Sequence, residues 1–108
     1  MSYKIISIPE FERQFKRLSK KFPSLKKEIA ELAKILQTNP HHGTSIGQHC
    51  YKIRLSIASK AKGKSGGARV ITHIVINDEL VYMVSIYDKS EREDISNAEL
   101  KQLLNQIF

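Results

Sequence analysis

Residues 51–69, YKIRLSIASKAKGKSGGAR, decide the fold. They read as a strand, a basic loop punctuated by glycine, and the opening of a second strand. In the first part Tyr51, Ile53, Leu55 and Ile57 alternate with Lys52, Arg54 and Ser56. A period of two is the pattern of a strand with one face buried. The charge of the region is as informative as its period. No acidic residue occurs between Glu31 and Asp78, whereas Lys34, Lys52, Arg54, Lys60, Lys62, Lys64 and Arg69 are all basic. The remaining 11 basic and 11 acidic residues balance, so the formal net charge of +7 is concentrated here. Such a local excess is the electrostatic footprint of a phosphate-bearing partner.

Outward from this segment, residues 68–77 form a second strand, Asn77, Asp78 and Glu79 a tight turn, and residues 80–87 a third strand. Short connections make these an antiparallel meander. Residues 38–48, TNPHHGTSIGQ, are turn chemistry. Further upstream, residues 3–6 are a short N-terminal strand. Ser7 and Glu10 have the spacing of a capping box, and Phe11, Phe15, Leu18 and Phe22 recur at helical spacing over residues 9–21. Pro23 ends that helix. Ser24 caps a second one, with Leu25, Ile29, Leu32 and Leu36 on one face, and so short a link makes the pair an antiparallel hairpin. From about Asp94 the period is helical again. The fold expected is α+β: a three-strand antiparallel meander plus a short N-terminal strand, packed against a helical hairpin and a C-terminal helix.

A chain of 108 residues with 41% hydrophobic and 27% charged residues is expected to be one soluble globular domain spanning 1–108. No apolar run approaches the roughly 20 residues that span a bilayer. The N-terminus does not read as a signal peptide, and Cys50 is the only cysteine, so the expected compartment is the cytoplasm.

In a meander the end of the first strand, the start of the second and the end of the third lie at one edge. Arg54, the 58–67 loop, Arg69 and the run Tyr87, Asp88 and Lys89 therefore converge. If Ile53, Leu55 and Ile57 pack under the helices, Lys52 and Arg54 face the open side. Without a bulge, Val70, Thr72, Ile74, Ile76, Val84 and Ile86 are packed, and Arg69, Ile71, His73, Ser85 and Tyr87 are open. Arginine forks bind phosphate oxygens bidentately and stabilise charge developing during displacement. With RNA the neighbouring 2′-OH can attack, which needs no metal. A lysine or tyrosine nearby has the chemistry of a base or acid. A basic loop that only binds phosphate, or only solvates the chain, fits the same composition.

Two other patterns carry less. Residues 58–65, ASKAKGKS, approach the phosphate-loop pattern, but Ala58 replaces the first glycine and a strand follows where that motif needs a helix. His41, His42, His49 and His73 have no cysteine or carboxylate partners at ligand spacing, so no metal site is expected.

The element order, together with CYKIRL (50–55), ASKAKGKSGGARVI (58–71) and VSIYDKSEREDIS (84–96), resembles the RelE/ParE superfamily of toxins from bacterial toxin–antitoxin modules. The RelE- and HigB-like branch is the nearest in pattern. The resemblance implies a metal-independent endoribonuclease without cofactor, which binds the ribosomal A site, cleaves mRNA by 2′-OH attack and is neutralised by a cognate antitoxin. By position it implies catalytic roles for Arg54, Arg69, Tyr87 and Lys89, and RNA contacts for Lys52, Lys60, Lys62 and Lys64. Lys89 stands where relatives often carry arginine. Ile95 occupies the place of a tyrosine in the C-terminal helix of RelE, so Tyr87 is its candidate substitute. The alternatives are a ParE-like inhibitor of DNA gyrase and a non-catalytic RNA-binding relative.

Overall fold

The computed structural model describes residues 2–59 and 67–107. The elements run β1 (Lys4–Ser7), α1 (Pro9–Lys21), α2 (Leu25–Thr38), β2 (Thr44–Gly47), β3 (Cys50–Leu55), β4 (Ala68–Val75), β5 (Leu80–Asp88) and α3 (Asn97–Asn105). The α+β architecture, both N-terminal helices and the meander are as expected. The basic loop lysines Lys60, Lys62 and Lys64, and with them most of the phosphate-loop-like stretch, lie outside the described residues.

One sheet of five strands has the order β1-β5-β4-β3-β2. Two details differ from expectation. The first is that β1 runs parallel to β5, so the sheet is mixed. The second is β2, a strand in what reads as turn sequence. It pairs with β3 through a two-residue hairpin whose central residues, Gln48 and His49, have φ of 55° and 59°. Positive φ at both positions is the geometry usually marked by Asn-Gly, and Gln-His gives no such signal.

The helix starts also differ. Ile8 is the N-cap of α1 and makes no side-chain cap. Ser7 donates to Glu12 instead, while Glu10 is engaged by Arg13 and Gln14. Ser24 is the N-cap of α2 without capping it; its hydroxyl contacts Ser59 and Glu28. Glu28 in turn accepts the Ala58 N–H at 2.7 Å, and Ser59 Oγ accepts the Ser24 N–H. The entrance to the basic loop is thereby fixed to the start of α2. At the other end of the chain, Ser96 caps α3 through the Glu99 N–H, so Asp94 and Ile95 precede that helix.

The core is a single cluster that joins Phe11 and Leu18 of α1, Leu25, Leu32 and Leu36 of α2, and Leu100 and Leu103 of α3 to the sheet. Burying a side chain of this size removes roughly 1.5–3 kcal/mol of unfavourable hydration. The pairing Val70↔Ile86 shifts to Thr72↔Met83, which leaves Val84 as an additional residue in β5. The bulge reverses the alternation, so Met83 and Val81, not Val84, continue the face of Val70 and Ile86. Ile76 falls in the turn and is exposed, against the expected packing.

Gly67 closes the loop onto this frame. Its φ is +47°, and a Cβ there would lie 2.2 Å from the Leu55 carbonyl oxygen. Its own carbonyl accepts the Lys89 N–H at 3.1 Å. Gly67→Ala combines a left-handed backbone with a backbone clash, and should cost about 2–4 kcal/mol in urea denaturation. A loss below about 0.5 kcal/mol, the range of neutral surface substitutions, would contradict this role.

Candidate nucleic-acid interface

Pairing register builds the site. Arg54 is opposite Arg69, and Arg69 is opposite Tyr87. Residues directly opposite one another project from the same face, and adjacent strands are about 4.8 Å apart. The three side chains therefore form one row across the meander. The next row holds Lys52 opposite Ile71. The expected convergence of Arg54, Arg69 and Tyr87 is thus present, and Lys52 shares their face as expected. Lys89 lies just beyond the end of β5, where its ammonium donates to the Glu93 carbonyl at 2.9 Å.

The face is covered more than alternation alone suggests. Arg54 is exposed and Lys52 half-buried, but Arg69 is 8% and Tyr87 4% exposed, and Ile71 is fully enclosed. The segment after β5 is the cover. Arg92 stacks its guanidinium 5.3 Å from the centre of the Tyr87 ring and is fixed by a bidentate pair with Glu99. Asp94 brings a carboxylate onto the row, 3.2 Å from Lys52 Nζ and 3.4 Å from the Tyr87 hydroxyl, which donates to it. The result is a graded site, with Arg54, Lys52 and Lys89 at the rim and Arg69 and Tyr87 behind them. One Arg69 N–H donates to the Ala68 carbonyl at 3.2 Å.

These contacts set the protonation states. The Asp94 carboxylate is held below the ordinary range, first by the Ile95 N–H and then by Lys52 and Tyr87. Burial, and then the Asp94 charge, push the Tyr87 phenol above its ordinary value of 10. At neutral pH Tyr87 is a proton donor and not a base. Further along the same face Cys50 Sγ lies 3.4 Å from His73 Nδ1. Burial raises the thiol to about 11 and lowers the imidazole, which suits a packed, neutral pair better than a reactive one.

Sequence reasoning missed Asp94 and Arg92. They sit in SEREDIS, where the helical period is expected to resume at about Asp94, and only the Ser96–Glu99 capping spacing hints that the helix begins later. Asp94→Asn should move the Tyr87 phenol back toward 10 in an ultraviolet titration, because it removes the Asp94 charge while burial remains. An unchanged titration would contradict the coupling.

The sequence model of the family described as "RelE toxin of RelE / RelB toxin-antitoxin system" matches residues 10–106. Among solved structures, a doubly arginine-to-alanine-substituted mutant of the E. coli toxin RelE in the free state is similar over 100% of both chains, at 15% identity and a TM-score of 0.62. The same mutant toxin in complex with an antitoxin RelBc peptide is similar over 94% of this chain and 93% of that one, at 18% identity and a TM-score of 0.51. The two structures share the fold, and the family match spans all three strands that build the cationic row. The chain belongs to the RelE toxin family of toxin–antitoxin systems.

Proposed function

We propose that this chain is a ribosome-dependent mRNA endoribonuclease that arrests translation. The single observation that carries the reading is the cross-strand row Arg54–Arg69–Tyr87, flanked by Lys52 and Lys89, in a chain of the RelE toxin family. A scissile phosphate set against the exposed Arg54 meets a fork that donates bidentately and stays charged. Arg69 behind it adds fixed positive charge at low exposure, where it is screened least. As the ribose 2′-OH attacks phosphorus and releases its proton to water, negative charge grows on the equatorial oxygens, and these cations lower its cost. The protonated Tyr87 suits the role of acid toward the departing 5′-oxygen, with the phenol turned from Asp94 to the substrate. Lys52, paired with that carboxylate, is an RNA-binding residue in this reading, and Lys89 guards the end of β5. Lys60, Lys62 and Lys64, which lie outside the described residues, are RNA-binding in this reading.

The covering segment of residues 92–96 makes a cognate antitoxin a natural regulator. A protein that holds or moves this segment controls access to the row. The similar toxin solved with an antitoxin peptide supports such a partner.

The test is cleavage of mRNA by purified protein on programmed ribosomes, with the new 5′ ends mapped. Cuts phased to codons are expected. Removing a positioned charge donor from such a transition state typically costs about 10²–10³ in rate, and Arg54→Ala should fall in that range while the melting curve is kept. Ribosome-bound mRNA left intact by the wild type, or cut at wild-type rate by Arg54→Ala, would overturn the assignment. Intact mRNA with DNA damage in expressing cells would favour gyrase inhibition.

A further inference from the structure

Helix α1 carries its cations in two strips, and only one of them is neutralised among the described residues. On α1, Arg13, Arg17 and Lys21 recur every four residues, and each meets a carboxylate. Arg13 pairs with Glu10 at 2.5 Å, Arg17 with Glu91 at 2.8 Å, and Lys21 with Glu91 at 3.3 Å and Asp88 at 3.6 Å. Lys16 and Lys20 share the same spacing but lie on another strip, which borders a cleft of about 500 Å³ with Phe15, Ser19 and Lys26 of α2. Among the described residues, Lys16, Lys20 and Lys26 make no ion pair. The half-buried Phe15 ring stacks on Phe11 at 6.0 Å. The Ser19 hydroxyl is enclosed without a hydrogen-bond partner among the described residues. Three ammonium groups around one recess repel one another unless a partner supplies negative charge, and lysine is a point-charge donor to phosphate.

This cleft is separate from the cationic row. Tyr87 and Asp88 are neighbours in β5 and point to opposite faces of the sheet. Asp88 meets Lys21 of α1, whereas Tyr87 meets Asp94. The hairpin and the row are therefore on opposite sides of a body whose shortest dimension is 23 Å. A short strand lying along the row does not reach the cleft.

We propose that the Lys16–Lys20–Lys26 cleft is a second RNA-binding surface that takes the phosphate backbone of a folded RNA. This rests on the reading of RNA as the target, and it deepens that reading. The partner presents phosphates to both sides of the protein, as the walls of a recess in a large folded RNA do, while the row receives the strand to be cut.

The experiment compares K16Q/K20Q/K26Q with a charge-matched control, K4Q/R13Q/K101Q, at exposed cations that do not line the cleft. Fluorescence anisotropy measures binding to a long folded hairpin RNA and to a short single-stranded oligoribonucleotide across a series of KCl concentrations. Each phosphate contact contributes about 0.7–0.9 to the slope of log affinity against log salt. The cleft variant should lose about 2–3 from the slope for folded RNA and keep its affinity for the short strand, with the control unchanged on both. An equal loss in the control would overturn the proposal, as would a wild-type slope in the cleft variant or a wild type that binds no folded RNA. Loss of binding to an acidic peptide with RNA binding intact would overturn it too, since it would make the cleft a protein site. Cleavage on ribosomes, compared between the wild type and Arg54→Ala, separates the two readings: its failure leaves the difference in slope between the cleft variant and its control unaffected.

Discussion

The pairing register of β3, β4 and β5 is the constraint on which the rest depends. It places Arg54, Arg69 and Tyr87 side by side on one face. A slip of one residue in any of the three strands sends one of these side chains to the opposite face. The register is held by the apolar partners of the same strands, with Ile53, Val70 and Ile86 aligned and buried on the helix side. It is also held at the loop end by Gly67, whose backbone passes so close to Leu55 that no side chain fits. Core packing and site geometry are therefore one requirement. The sequence meets it by alternating aliphatic and basic residues along β3.

Concentrating like charges on a sheet face is unfavourable, and the structure shows how the cost is limited. Asp94 shares its carboxylate between Lys52 and Tyr87, and Arg92 is neutralised by Glu99 while it covers the Tyr87 ring. These are contacts at or near the surface, each worth little alone. Their value lies in arrangement. A carboxylate on the row occupies the place toward which a phosphate would be drawn, so in the proposed function the resting protein carries an internal counter-charge that RNA displaces.

Much of this was legible in the residues. The helices over 9–21 and 25–38 follow from apolar spacing and Pro23, and the meander from the change of period at Tyr51. The meeting of Arg54, Arg69 and Tyr87 followed from connectivity and parity, because the bulge falls at Val84, beyond the rows that matter. What escaped depends on tertiary context. The β2–β3 hairpin turns on Gln48 and His49, residues that seldom adopt positive φ. β1 joins β5 in parallel, a choice that no local pattern encodes. Asp94 reaches the row only because the chain after β5 folds back across the sheet, which nothing in SEREDIS signals. The burial of Tyr87 has the same origin, and it turns a candidate base into a proton donor.

The central claim is that the cations of this face assist attack by a ribose 2′-OH on the adjacent phosphorus. The chemistry of the RNA ends tests it most directly. Fragments from ribosome-bound mRNA treated with the purified protein can be analysed by mass spectrometry, before and after phosphatase. The account predicts a 2′,3′-cyclic phosphate or its 3′-phosphate product on the upstream fragment and a 5′-hydroxyl on the downstream one. A 3′-hydroxyl paired with a 5′-phosphate would mean that water, not the 2′-OH, attacks phosphorus, and would contradict it.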